Sequence, residues 1–277
     1  MHITFIGGGN MAQAIIGGLI TNGQPATAIR VVEIKPETRK HLEKQFGVEC
    51  FSTGEKAALE NAQVVVLAVK PQHMRQVALQ IGPLLTGQIV LSIAAGIQLK
   101  KLMRWLGAPA CTLVRAMPNT PALIGRGITG LIYYSVPSKS VLGQDQIRTI
   151  EGITNSVGKS VWVGDEKEMD AVTAVSGSGP AYVFYFMEAI EQAAKELGLS
   201  AGIAHQLALS TFTGAAELAA QSTDAVSALR ERVTSKGGTT EAALKSMAAD
   251  HVKEAIVRAV KAAHARSREL GEEVGEG

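Results

Sequence analysis

The 277 residues carry 27 Lys and Arg against 25 Asp and Glu, a formal charge of +2, with the basic residues scattered along the chain. That balance makes no electrostatic case for a nucleic-acid partner. With 46% hydrophobic and only 4% aromatic residues, the core has to be built from Ala, Val, Leu and Ile. Cys50 and Cys111 stand far apart, and six histidines (His2, His41, His73, His205, His251 and His264) form no ligand spacing. This reads as reduced thiols in the cytoplasm and no metal centre.

The first residues, MHITFIGGG, have neither the basic nor the apolar region of a secretory signal, and the apolar run VVVLAV is far too short to span a bilayer. The expectation is a cytoplasmic protein without a membrane segment. ITFI (3–6) reads as a strand, followed at once by GGGNMAQAIIGG. Gly7, Gly9 and Ala12 stand in G-x-G-x-x-A register. Gly7 permits a tight turn, Gly9 lets the backbone approach a pyrophosphate, and Ala12 keeps the helix close to its strand.

IRVVEI (29–34) is the second strand. Glu33 sits where a carboxylate takes the ribose hydroxyls of NAD, but Lys35 and Arg39 follow and can hold the 2′-phosphate of NADP. The balance is read as NADPH, with NADH as the alternative. Further strands are expected at VVVLAV (64–69), QIVLSI (88–93), CTLVRA (111–116), GITGLIYYS (127–135) and KSVWVG (159–164), with helical patterns such as PETRKHLEKQFG and VLGQDQIRTIEGITNSVG between strands. Continuous apolar runs joined by helical crossovers predict a doubly wound, mostly parallel sheet of Rossmann type over residues 1–164.

In such a sheet, ligands lie beyond the carboxyl ends of the strands. LAVKP (67–71), SIAAG (92–96) and RAMPNTPALIG (115–125) all follow strand ends. Pro71 suits the first position of a helix, Pro118 and Pro121 stiffen the third loop, and Asn119 and Thr120 offer fixed polar groups there. Asn119 is counted on the cofactor side. Arg115 is open between gripping a carboxylate and pairing at a strand end.

After Asp165 the strand signals stop, and helices are expected at 166–197, 200–221, 224–233, 240–248 and 251–269, ahead of an acidic, frayed tail. Residues 165–277 thus form an all-α domain whose uncovered apolar surface predicts self-association, with a self-contained helical bundle as the alternative. AVSGSGPAYVF (174–184) reads as a helix start with Pro180 at its first position and more small and hydroxyl residues than a cap needs. That surplus favours a role at the interdomain cleft, with Ser176 as a substrate contact. VTSKGGTTEAAL (233–244) raises the same point more sharply, with two glycines among Thr234, Ser235, Thr239 and Thr240.

Taken together, GGGNMAQAIIGG, LAVKP, RAMPNTP, AVSGSGPAYVF and VTSKGGTTEAAL resemble the pyrroline-5-carboxylate reductase family in order and spacing over nearly the whole chain, and residues 233–247 look like its signature segment. The resemblance implies reduction of L-1-pyrroline-5-carboxylate to L-proline by hydride from NADPH, or NADH. It implies dinucleotide binding by Gly7, Gly9, Asn10, Met11 and Ala12, by Ala68, Val69, Lys70 and Pro71, and by Ala94, Ala95 and Gly96 beside the nicotinamide. It implies a substrate site at Ser235, Gly237, Gly238 and Thr239, with Thr240 as the residue that meets the ring nitrogen. It also implies a homo-oligomer, a dimer or ring of dimers, built through intertwined helical domains.

The chain departs from the family in two places. Lys236 stands where many relatives have proline, and Glu33-Ile34-Lys35 where many have a Ser or Thr cluster. The chemistry needs no tuned acid if the imine is already protonated, and no His, Asp or Glu stands out. The runner-up is an NADP-linked reductase of the same architecture acting on a β-hydroxyacid or another imine. PAYVFYFMEAI lacks the early lysine such enzymes present, since none precedes Lys195. A non-catalytic dinucleotide sensor would have no use for the hydroxyls of the signature loop.

Overall fold

A computed structural model describes residues 1–107, 111–134 and 142–273. Eight strands form one sheet in the order β3-β2-β1-β4-β5-β6-β7-β8. They are β1 (Ile3–Ile6), β2 (Ile29–Val32), β3 (Glu49–Phe51), β4 (Val64–Leu67), β5 (Ile89–Ser92), β6 (Thr112–Met117), β7 (Gly127–Tyr133) and β8 (Gly158–Trp162). The first six run parallel, β7 pairs antiparallel with β6, and β8 is parallel to β7. The mostly parallel, doubly wound sheet is thus as expected. The reversal at β7 has a simple cause: residues 118–126 between β6 and β7 hold one 3₁₀ stretch, Thr120–Ile124, and no helical crossover.

Helices α1 (Asn10–Thr21), α2 (Pro36–Phe46), α3 (Lys56–Leu59), α4 (Pro71–Ile81), α5 (Leu99–Leu106) and α6 (Gln144–Thr154) connect the strands. The central strands β1, β4 and β5 are buried along their whole length because both faces are covered. Along β4, Val64 and Val66 enter one core with Phe5, Ile15, Ile16 and Leu42, while Val65 and Leu67 enter the other with Met74, Ile81 and Leu102. β3 was not among the expected strands. Ser135 and Val141, at the ends of two expected elements, lie outside the described residues, as does the tail beyond residue 273.

The remaining helices are α7 (Glu168–Val172), α8 (Gly179–Glu196), α9 (Ala201–Gln221), α10 (Val226–Arg232), α11 (Thr239–Ala249) and α12 (Val252–Glu273). Residues expected to fray, 269–273, are the last turn of α12. Between α7 and α8, Thr173–Gly177 forms a π-helical turn in which the Ser178 N–H reaches back five residues to the Thr173 carbonyl at 2.8 Å. AVSGSG, read from the sequence as a helix start, is thus a bulged helical turn that joins α7 to α8, and Pro180 falls in the first turn of α8.

By compactness the chain forms two units. One comprises Met1–Ser178 together with the end of the chain from Ala263; the other is Gly179–Ala262. The first unit runs past residue 164, where strands give way to helices. The end of α12 is held within it by Lys101 Nζ on the Gly271 carbonyl at 2.8 Å and by Ser267 Oγ on Asp170 Oδ1 at 2.7 Å.

In the second unit α8 buries no residue and α9 buries only Ala204 and Ala208, while Phe184, Tyr185, Leu197 and Leu207 lie exposed. Apolar surface of this extent belongs against another protein surface. Among the described residues no helix is long and apolar enough to cross a membrane.

Candidate active site

The register Ile6↔Val32, Ile6↔Leu67, Leu67↔Ser92 and Ser92↔Arg115 aligns the carboxyl ends of β1, β2, β4, β5 and β6 along one rim. The loops starting at Gly7, Glu33, Ala68, Ile93 and Pro118 all leave the sheet there. Strand order reverses between β1 and β4, which is where an open α/β sheet takes its ligand.

The three glycines of the first loop do different things. Gly7 has φ +105°, and a Cβ on it would lie 2.7 Å from the Ala68 carbonyl oxygen. Gly8 is packed against Leu42 and gives its N–H to Glu33 Oε2 at 3.0 Å. A Cβ on Gly9 would meet no protein atom within 4 Å, so the bare backbone there faces open space. Gly9 is also the N-cap of α1, with no side-chain cap and no acid in the first turn. The N–H groups at Asn10 and Met11 open a helix whose positive end is unneutralised, which suits a pyrophosphate. Ala12 is buried against the sheet. These residues fit a dinucleotide.

The second loop carries the choice of cofactor. Glu33 does not point away from the site: Oε2 takes the Gly8 N–H, and Oε1 takes the Lys35 N–H at 2.9 Å. Arg39 lays Nη1 on the carbonyls of Glu33 at 2.7 Å and Ile34 at 3.0 Å. The Lys35 side chain is exposed and has no hydrogen bond or ion pair among the described residues. A carboxylate and a lysine thus stand side by side where the adenosine ribose would lie.

Lys70 is the N-cap and Pro71 the first residue of α4, again with no acid in the first turn. Ala68 and Val69 back the Gly7 turn. Ala94 is buried, Ala95 is exposed and Gly96 takes φ +74° at the start of the loop to α5. Arg115 is buried and pairs with Glu166 at 3.1 Å, whose same oxygen accepts the Leu99 N–H at 2.7 Å. Of the two readings of Arg115, the strand-end pair is what the structure holds. Asn119 uses its amide within the fold: Oδ1 accepts the Ile128 N–H at 2.9 Å and Nδ2 donates to the Ser176 carbonyl at 3.1 Å. The Ser176 hydroxyl bends back to the Val172 carbonyl at 2.9 Å.

In the second unit, Ser235–Gly238 is a turn closed by the Gly238 N–H on the Ser235 carbonyl at 3.0 Å, with Gly237 at φ +74° in its third position. That is the pattern of a type II turn, whose second position, here Lys236, is the one proline favours. Gly238 is the N-cap of α11, and it supplies no side-chain cap. The Thr234 hydroxyl closes α10 on the Arg230 carbonyl. The hydroxyls of Ser235, Thr239 and Thr240 have no partner among the described residues, and Thr239 and Thr240 are the first two residues of α11. Glu241 folds back to accept the Gly237 N–H and pairs with Lys245 at 3.0 Å. The Gly237 N–H, and after it the Lys245 ammonium, hold its carboxyl below the ordinary value.

Nothing else in the described chain competes as chemistry. Burial, and after it the Glu43 carboxylate, push the Cys50 thiol up to about 11, so it is protonated at neutral pH and a poor nucleophile. No cluster of three or more His, Cys, Asp and Glu among the described residues could hold a metal ion.

Comparison with known proteins agrees with this picture. Residues 166–270 match the family described as pyrroline-5-carboxylate reductase dimerisation, and residues 2–96 match that described as NADP oxidoreductase coenzyme F420-dependent. The pyrroline-5-carboxylate reductase of Pseudomonas aeruginosa is 43% identical over 276 residues, covering 99% of this chain and 98% of the relative. The structure of the Coxiella burnetii reductase superposes with a TM-score of 0.91 at 39% identity, over 97% of this chain and 98% of that one. The Plasmodium falciparum reductase, solved with NADP bound, gives 0.84 at 28% identity and 98% coverage of both.

Proposed function

The chain belongs to the pyrroline-5-carboxylate reductase family, and from that premise we propose which of its residues perform the reduction. The reaction turns 1-pyrroline-5-carboxylate into proline, with NADPH as the cofactor and NADH as the alternative, in a homo-oligomer formed through the helical domain. When bound, the dinucleotide supplies the hydride. Every other requirement falls on the chain: binding, orientation, exclusion of water and a hydrogen-bond partner for the ring nitrogen.

Residues 1–164 act as the dinucleotide-binding domain and 165–277 as the helical dimerisation and substrate domain. The pyrophosphate is taken at Gly9, Asn10 and Met11, with Gly7 and Ala12 keeping turn and helix against the sheet. Lys35 meets the ribose phosphate, Ala68 through Pro71 follow the dinucleotide along the rim, and Ala94, Ala95 and Gly96 bound the nicotinamide. The small flat substrate lies on Ser235, Gly237, Gly238 and Thr239, where a glycine pair lets backbone come close, and Ser176 adds a further contact. Its carboxylate is held by the N–H groups that open α11. The Thr240 hydroxyl is the partner of the ring nitrogen, so the imine reacts in a fixed orientation without a tuned acid.

One observation carries this assignment. α11 begins without a side-chain cap although Ser235, Thr239 and Thr240 are all at hand, which leaves both its N–H groups and these hydroxyls available to a ligand. The cytoplasm, where NADPH and a reducing environment coexist, is the compartment this reading assigns. Mixing the protein with NADPH and the cyclic imine and following the nicotinamide absorbance tests the whole. Turnover of other imines or hydroxyacids but not of this one would overturn it.

A further inference from the structure

The Ser176 carbonyl sits in the π-helical turn Thr173–Gly177. In α-helical register it would take the N–H four residues on, and there the chain has Pro180, which has none. The donor it does receive comes from another part of the fold, Asn119 Nδ2 at 3.1 Å. The same side chain accepts the Ile128 N–H through Oδ1 at 2.9 Å, so one buried amide joins the loop after β6, the start of β7 and the π-turn. A second contact at the same place comes from Met117: a Cβ on Gly177 would stand 2.8 Å from Met117 Cε. The turn is therefore seated on the end of β6 by Met117 and Asn119, two residues apart.

We propose that Asn119 is a positioning residue for imine reduction: by giving Ser176 the donor that Pro180 withholds, it sets the place of the turn that presents Ser176. This rests on the assignment of Ser176 to the substrate side, and it takes Asn119 away from direct contact with the dinucleotide. A part-buried carbonyl that loses this donor is left short of a partner, and a turn freed to relieve that loss moves the groups it carries.

The test pairs Asn119→Asp with Pro180→Ala. Asn119→Asp keeps the acceptor for the Ile128 N–H and removes the donor to Ser176. The expected result is a fall of about tenfold in kcat for the imine, with the NADPH dissociation constant changed by less than about twofold. Pro180→Ala restores an N–H in α-helical register, so in that background the same substitution costs less than about threefold. Asn119→Ala, measured in both backgrounds, repeats the comparison without the added charge. Loss of NADPH affinity in step with kcat would mean that Asn119 touches the dinucleotide. A loss undiminished by Pro180→Ala, or a lowered Tm with kcat intact, would also overturn the proposal. Ser176→Ala keeps the carbonyl and so tests the hydroxyl alone. If it is silent while the Asn119–Pro180 coupling holds, the Ser176 hydroxyl makes no substrate contact and Asn119 acts through the backbone of the turn alone.

Discussion

Gly7 and Ala68 approach so closely that a Cβ on Gly7 would lie 2.7 Å from the Ala68 carbonyl oxygen, whereas a Cβ on Gly9, two residues on, would meet nothing within 4 Å. Gly7 is therefore required by the fold, whereas Gly9 leaves bare backbone toward open space, where the proposed dinucleotide would approach. Gly7→Ala should destabilise the protein by about 1–3 kcal/mol, through its φ of +105° and the clash with backbone. Gly9→Ala should leave stability within about 0.5 kcal/mol and weaken NADPH binding at least tenfold, roughly. Urea unfolding and NADPH titration of the two variants separate the roles; equal effects in both assays would contradict this division.

Thr240 is predicted to act on the imine alone. Thr240→Ala should remove about 1–3 kcal/mol of transition-state stabilisation, roughly ten- to a hundredfold in kcat, with NADPH affinity unchanged. Equal losses in turnover and dinucleotide binding would count against its role.

Glu33 holds the Gly8 and Lys35 N–H groups on its two oxygens, which sets its carboxylate beside the proposed ribose site. Glu33→Gln retains an acceptor and removes the charge. The ratio of kcat/KM for NADPH over NADH should rise by about three- to tenfold. An unchanged ratio would show that Lys35 and Arg39 set the preference alone.

The Glu241 carboxyl is held below its ordinary value of 4.5, first by the Gly237 N–H and then by Lys245. A lowered folded-state value stabilises the fold fully above the ordinary carboxylate range, and that contribution is lost as pH falls through the depressed value. Wild type and Glu241→Gln should therefore differ most near neutral pH and converge in acid below 4.5. Denaturant unfolding across that range checks the sign, and a gap that widened in acid would refute it.

Lys236 occupies the second position of the Ser235–Gly238 turn. Lys236→Pro should raise stability by about 0.4–1 kcal/mol through the unfolded chain, with turnover retained. A loss of stability on thermal or urea unfolding would mean that the turn is of another type.

The glycine turn, the rim loops and the helical half were legible in the residues because each follows from a local rule: a buried strand is apolar throughout, and a helix opens on Pro or a small residue. What escaped depends on partners distant in sequence. β3 is three residues long, with Glu49 exposed and Cys50 and Phe51 half-buried, and it has no pattern of its own until β2 lies beside it. The π-turn at 173–177 carries the same Ser, Gly and Pro signals as a helix start, and its contacts with Met117 and with Asn119, 57 residues earlier, are not visible in the local sequence. The direction of Glu33 has no local signal, because one of the two N–H groups that hold it, that of Gly8, lies 25 residues away.

The anchoring of α12 has a consequence for synthesis. Ser267 and Gly271, near the end of the chain, tie to Asp170 and Lys101 in the unit that begins at Met1. As the chain leaves the ribosome, the sheet can assemble early, but this seam stays open until the last helix emerges. The unit that holds the sheet is thus closed by a helix made 97 and 170 residues after its partners Asp170 and Lys101, so a polypeptide truncated before Ser267 would leave that seam unsealed.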